Sequence, residues 1–242
     1  MKIWFVYHSC FVVETKSAFL VFDYFKNKKS AGSDFDFNDL LKKIFESSKA
    51  LYVFASHSHH DHFNREILKW QEKKKDTAYI LSSDIKLYSN AENVNFIGRN
   101  RELQIGDLKL STFGSTDEGI SFLVQIDGLT LFHAGDLNWW KWPDDTPEEE
   151  RVMEDAFTGI MDDICAKGKN FDAAFFPVDG RLEQNYLCGG EYFIERIRPR
   201  LFIPMHFGDD YQIPAKFIAF QEGREPATKM LDITHPSQIL CE

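Results

Sequence analysis

Over the first quarter of the chain, short apolar runs alternate with polar turns. "KIWFVY", "CFVVET" and "AFLVFDYF" are rich in β-branched and aromatic residues and read as strands. Beyond them, helical patterns alternate with apolar strands. "NREILKWQEKK" places Ile67, Leu68 and Trp70 on a helix that Asn64 can cap. "TPEEERVMEDAFTGIMDDICAKGK" carries the clearest terminal signals. Thr146 and Glu149 form a capping box, Pro147 takes the first helical position, acids fill the first turn and Gly168 marks the stop. Two more helices are predicted near 190–197 and 214–222. The acidic stretch "SDFDFND" has calcium-loop spacing at first sight, but it lacks the glycine at the sixth position and has Phe45 where a bidentate glutamate belongs. It reads as a turn leading into a helix over 38–46.

Four other runs share one feature. "ALYVFAS" leads into His57, "LTLFHAG" into Asp136, "AAFFPV" into Asp179 and "RLFIPM" into His206. Each is short and continuously apolar, the mark of a strand buried on both faces. Each delivers an acidic or metal-binding residue at its carboxyl end, the edge at which open α/β sheets build their sites.

Size and charge narrow the function. At 242 residues, with no repeat, low-complexity tract or linker, the chain reads as one domain over 1–242. Its net charge of −10 and the lack of a basic stripe speak against nucleic acid as a partner. No apolar run approaches the roughly 20 residues that span a bilayer, so stable membrane insertion is not expected. The N-terminal "MKIWFVYHSCFVVET" reads as a strand pair and not as a signal peptide. Cys10, Cys165, Cys188 and Cys241 show no CxxC spacing, which fits reduced thiols and a cytoplasmic location. A small-molecule substrate is the expected partner, and assembly into a homo-oligomer is left open.

Half of the eight histidines lie in six positions of "ASHSHHDHFN". His57 and His59, two apart, can face one side of an extended segment, while Asp61 and His62 turn to face a second position. Imidazole suits zinc and iron, and the carboxylate accepts manganese as readily. His60 and His235 read as ordinary surface or packing residues.

These motifs resemble those of the metallo-β-lactamase-fold hydrolases. "HSHHDH" fits that family's HxHxDH motif, "HAGD" its later strand-end motif and "IPMHFGD" its last. With "YHSCFVVE" near the start, the chain looks most like the branch that includes ascorbate-phosphate lactonase and the N-acyl phosphatidylethanolamine phospholipase. The resemblance implies an α+β fold, a four-layer αββα sandwich, with one or two divalent metal ions, zinc first and manganese or iron as alternatives. It implies His57, His59, Asp61, His62, Asp136 and His206 as ligands, Asp136 as the shared carboxylate, and Asp61 and Asp136 as catalytic groups. The implied reaction is hydrolysis by a metal-bound hydroxide of a small, anionic ester, lactone or phosphoester. Two alternatives stand beside it: a phosphodiesterase acting on a lipid or cyclic nucleotide, and a catalytically silent metal-binding protein. The flavodiiron oxygen reductases of the same fold fit poorly, since their loop has a glutamate in place of His59 and they carry an added flavodoxin domain.

The silent alternative arises from one departure. In the stretch "TFGSTDEGISFLV", Ser115 stands where the family carries a further histidine ligand. The His57/His59 position is then expected to hold its metal more weakly than the Asp61/His62/His206 position, with Asp117, Glu118, His133 and His8 as replacements to consider. For substrate binding the candidates are His8, Lys141, Trp139, Asp179 and Arg181. Tyr7, His8 and His133 are the candidates for a leaving-group acid. Packing is the competing role for the tryptophans of "LNWWKW", and an ordinary ion pair for Arg181.

Overall fold

The computed structural model describes residues 1–87, 93–224 and 227–241. The chain divides into two compact units, Met1–Gly98 with Ile233–Glu242, and Arg99–Asp232.

The first unit is built on a seven-stranded sheet. Its strands are β1 (Lys2–Tyr7), β2 (Cys10–Glu14), β3 (Ala18–Phe22), β4 (Ala50–Ala55), β5 (Ala78–Ser82), β6 (Val94–Ile97) and, from the far end of the chain, β14 (Gln238–Cys241). The order is β14-β1-β2-β3-β4-β5-β6, with antiparallel pairs up to β3 and parallel pairs from β3 to β6. Period-two alternation sends Phe19, Val21, Leu51 and Val53 to one face. They pack with Phe37, Leu40 and Ile44 of helix α1 (Phe37–Glu46) and with Ile67 and Trp70. Side chains on the opposite face, Leu20, Phe22 and Phe54 among them, are also fully buried, so β3 and β4 are apolar throughout for a structural reason. The acidic turn before α1 is an N-cap: Asp36 accepts from the Asn38 N–H at 2.8 Å. Segment Arg65–Glu72 starts under an Asn64 cap as expected, but winds as a 3₁₀ helix.

Glu14 ends β2 between two lysines, accepting from Lys49 at 2.7 Å and Lys43 at 2.9 Å. Burial pushes its carboxyl up, but the two lysine hydrogen bonds outweigh this and hold it below its ordinary range. A lowered folded-state pKa gives stability above the unfolded carboxylate's pKa, and that stability is lost as pH falls through the folded value. Urea unfolding of Glu14→Gln beside the parent should therefore show a deficit at pH 7 that shrinks toward pH 3. A deficit independent of pH would mean that the charge contributes nothing.

The second unit repeats the pairing pattern. Its strands are β7 (Glu102–Ile105), β8 (Leu108–Phe113), β9 (Ser121–Ile126), β10 (Leu129–His133), β11 (Ala173–Pro177), β12 (Leu201–Met205) and β13 (Lys229–Met230). The order β13-β12-β11-β10-β9-β8-β7 is antiparallel from β7 to β10 and parallel from β10 to β13. Helices α2 (Pro147–Lys167), α3 (Cys188–Ile197) and α4 (Gln212–Gln221) complete it. The α2 capping box forms as read, with Thr146 and Glu149 satisfying each other's backbone N–H groups. The polar residues singled out above follow β4 in the first unit and β10, β11 and β12 in the second, all strands with a parallel neighbour. Among the described residues, no helix is long and apolar enough to cross a membrane.

Candidate metal centre

In the first unit, two strand ends and the loop after β4 converge on one carboxylate. Asp23, at the end of β3, is fully buried. It accepts from the Ser56 N–H at 2.8 Å, from the Ser56 hydroxyl at 2.7 Å and from His62 Nδ1 at 2.7 Å. The proton positions follow. A carboxylate only accepts, so His62 carries its proton on Nδ1 and leaves the Nε2 lone pair for a ligand. Ser56 gives its single proton to Asp23, so toward His57 Nδ1, 2.9 Å away, it can only accept. His57 is thus the same tautomer, with its Nε2 lone pair facing His59 Nδ1.

The loop after His57 then doubles back. The His62 and Phe63 N–H groups both donate to the His59 carbonyl, at 3.1 and 3.0 Å. That tight turn separates the donors into two groups. His59 Nδ1 lies 3.0 Å from His57 Nε2, while His8, Asp61 and His62 offer ligand atoms within 4.8 Å of one another. Asn64 anchors the end of the loop, donating to the Phe25 carbonyl at 2.6 Å. His60 points away, with its side chain 96 % exposed. His8 therefore stands with Asp61 and His62 and does not join the His57/His59 group whose missing ligand it was considered to replace. His8, whose Nε2 lies 3.6 Å away, is the main reason the Asp61 carboxyl sits well below the usual carboxylate range; the charge of His62 adds to it and burial opposes it.

The second unit holds Asp136 and His206. Gly135, at φ 56°, makes the turn that carries Asp136 off the end of β10. His206 Nε2 lies 3.3 Å from Asp136 Oδ1, and His206 Nδ1 lies 3.0 Å from Asp179 Oδ2. Asp179 thus does for His206 what Asp23 does for His62, fixing the tautomer and ring orientation as carboxylates commonly do behind metal-binding histidines. Burial raises the Asp179 pKa, but hydrogen bonds from His206 and Arg181 reverse this and leave it ionised.

Backbone strain gathers at the same residues. His8 (φ 57°), Asp23 (φ 47°) and His206 (φ 66°) all adopt the left-handed conformation that non-glycine residues rarely occupy. Such a conformation costs about 1–3 kcal/mol, and it persists where surrounding contacts over-determine it.

The remaining candidates fall in different places. Arg181 reaches Asp179 through Nε and Nη2, stacks over Trp142 and is 64 % exposed, so it supports the Asp179–His206 pair. Lys141 is 3.2 Å from Glu150. Trp139 packs onto Phe157 of α2 and Tyr192 of α3. The tryptophan that meets the donors is Trp140, whose ring lies edge-on to His206 and whose Nε1 donates to the Asp136 carbonyl. Trp140 and Trp142 line a groove of about 330 Å³ with Val152 and Met153, and the acidic Asp145, Glu148 and Glu149 border it. His133 is fully buried and accepts from the Gly135 N–H, and Tyr7 packs on Phe25. Ser115 accepts from the Asp117 N–H, and both Asp117 and Glu118 are exposed. In place of a ligand, this turn supplies an anchor: Thr116 accepts from the Asn138 N–H and donates to its carbonyl, pinning the loop that follows Asp136. The sequence reading does not single out Asp23. Its signal was a charged residue inside the otherwise apolar run "AFLVFDYF".

Comparison with known proteins adds independent findings. The family model described as "Beta-lactamase superfamily domain" matches residues 2–144. A UPF0173 metal-dependent hydrolase of Alkaliphilus metalliredigens is 25 % identical over 239 residues, covering 92 % of both chains. The UPF0173 metal-dependent hydrolase YtkL of Bacillus subtilis is 23 % identical, covering 86 % of each. Among solved structures, Igni18, a metallo hydrolase of the archaeon Ignicoccus hospitalis, superposes with a TM-score of 0.68 at 16 % identity, over 99 % of this chain and 97 % of that one. At that identity the likeness shows a shared fold, the α+β metallo-β-lactamase fold that the motifs implied.

Proposed function

We propose, for a chain that belongs to the beta-lactamase superfamily, that this metal-dependent hydrolase cleaves a small anionic ester, lactone or phosphoester with metal held by His57, His59, Asp61, His62, Asp136 and His206. One observation carries the reading. His57, His62 and His206 are each held by a hydrogen bond at Nδ1, and for His62 and His206 the partner is a buried aspartate. In the first unit His57 and His62 stand with the ionised Asp61, and in the second His206 stands with the Asp136 carboxylate; imidazole and carboxylate donors of this kind suit zinc, with iron or manganese as the other fitting ions. A divalent ion there supplies Lewis acidity and makes water a nucleophile near neutral pH.

The chain's own groups do the rest. Asp61, kept ionised beside His8, accepts a hydrogen bond and so can orient a water without storing its proton. Asp136 and His206 are braced by Trp140 and by the Asp179–Arg181 pair, which keeps their geometry fixed during reaction. The Trp140–Trp142 groove gives an apolar wall for a ring or acyl chain. The motif resemblance to the lactonase and phospholipase branch supports the anionic substrate class, and the names of the curated relatives support hydrolysis.

The test is to purify the protein without added metal, measure zinc, manganese and iron by elemental analysis, and assay a panel of chromogenic esters, lactones and phosphodiesters. Bound metal together with turnover that a chelator removes is the expected result. Stoichiometric metal with no turnover across the panel would favour the silent metal-binding reading that Ser115 raises. A preference for cyclic-nucleotide or lipid diesters would favour the phosphodiesterase reading.

A further inference from the structure

His57, His62 and His206 are each braced at Nδ1 by a neighbouring side chain. His59 is not. It is an exposed residue whose Nδ1 faces His57 Nε2 at 3.0 Å, and among the described residues no hydrogen bond holds its Nε2. The placement of His59 therefore falls to the backbone. On one side, its carbonyl accepts from the His62 and Phe63 N–H groups. On the other, the Ser58 N–H donates to Asp84 Oδ2 at 2.7 Å.

Asp84 follows β5 in a turn that is itself anchored. The Ser83 N–H donates to the Ile97 carbonyl on β6, the Ile85 N–H donates to the Ser82 carbonyl, and the Ile85 side chain is buried in the core of the unit. Arg65 Nη2 donates to the Lys86 carbonyl at 3.1 Å, so the same turn also grips the chain just beyond the histidine loop. The second oxygen of Asp84, Oδ1, is buried and has no hydrogen-bond partner among the described residues. An unpaired buried acceptor costs stability. Ser58 is exposed, so its N–H can bond to water without Asp84. Stability alone thus gives little reason for a carboxylate here, whereas a fixed Ser58 serves the histidines on either side of it.

We propose that Asp84 is a positioning residue for the candidate metal centre: by holding the Ser58 N–H it sets the geometry of the His57/His59 pair. The inference rests on the metal-dependent reading above. Its effect is greatest at this pair because His59 lacks a side-chain brace of its own, and outer contacts of that kind orient metal-binding histidines.

Competition between the protein and a chromogenic zinc chelator measures affinity without turnover. Asp84→Ala should weaken zinc binding by about tenfold, the low end of what lost outer contacts cost. Asp84→Asn keeps an oxygen for the Ser58 N–H and should recover most of that loss. His59→Ala supplies the background that separates positioning from a general softening of the fold. If Asp84 acts through His59, adding Asp84→Ala to His59→Ala should weaken binding by no more than about twofold further, because the two effects are coupled. An undiminished tenfold further loss in that background would overturn the proposal. So would a loss in Asp84→Asn as large as in Asp84→Ala, since the charge and not the hydrogen bond would then be acting. Zinc binding that needs His59 but not Asp84 would remove the positioning role and leave the metal reading standing. A parent protein that binds no zinc, manganese or iron would remove the metal reading and this inference with it.

Discussion

Asp136→Ala should lower kcat/KM by about three orders of magnitude, roughly 4 kcal/mol of transition-state stabilisation, and should leave the purified protein short of metal. The side chain is nearly buried and lies against His206 Nε2, so its loss removes an anionic donor and the partner that faces an imidazole. The fold should survive, because the loop keeps its Trp140 and Thr116 hydrogen bonds, which run through backbone atoms of residues 136 and 138. Elemental analysis and near-ultraviolet circular dichroism separate these effects. His60→Ala is the matched control: its exposed side chain predicts unchanged metal and turnover. Full metal occupancy with normal turnover in Asp136→Ala would remove Asp136 from the centre. Metal loss in His60→Ala would mean that the loop donors are misassigned.

Asp23→Ala should have the largest effect on stability. It leaves the Ser56 N–H, the Ser56 hydroxyl and His62 Nδ1 without their buried acceptor, at a cost of about 3–5 kcal/mol. Alanine is also less at ease than aspartate at φ 47°. Asp23→Asn keeps the volume and the left-handed tolerance but removes the charge. It should be milder in thermal unfolding while still weakening metal binding by about 10- to 100-fold. A competitive chelator titration on the asparagine variant checks the second effect by itself. Unchanged metal affinity there would show that His62 is oriented by packing alone.

The ligand loop was legible in the sequence because its chemistry is local. His57, His59, Asp61 and His62 need no tertiary information to be noticed, and the strand ends at Asp136, Asp179 and His206 stand out against continuous apolar runs. The α2 boundaries were legible for the same reason, since capping box, proline and glycine are all within the segment. Asp23 was not, because its partners Ser56 and His62 are more than thirty residues away and nothing near it in the chain shows the contact. Trp139 and Trp140 could not be told apart by pattern; only the fold decides which ring meets His206 and which meets α2. The stretch from β6 to β9, which crosses from one sheet to the other, was not located strand by strand. Its short edge strands "VNFI" and "ELQI" are half-exposed and too polar to register against a periodic template. Helical periodicity over 65–72 likewise cannot distinguish an α-helix from the tighter 3₁₀ turn found there.

The strand β14 joins β1 from the opposite end of the sequence, and the Asp34 N–H binds the Ser237 carbonyl across more than two hundred residues. On the ribosome this imposes a timetable. Residues 99–232 emerge, and can complete their own sheet, before the last strand of the earlier unit has been made. At a synthesis rate of about 5–20 residues per second, the outer edge of β1 waits roughly 10–50 seconds for its partner. During that interval "KIWFVY" presents unpaired backbone donors and acceptors on a strongly apolar strand, a template for wrong pairing. Newly made chains are thus most exposed to aggregation at their first strand and are released from that hazard by their last.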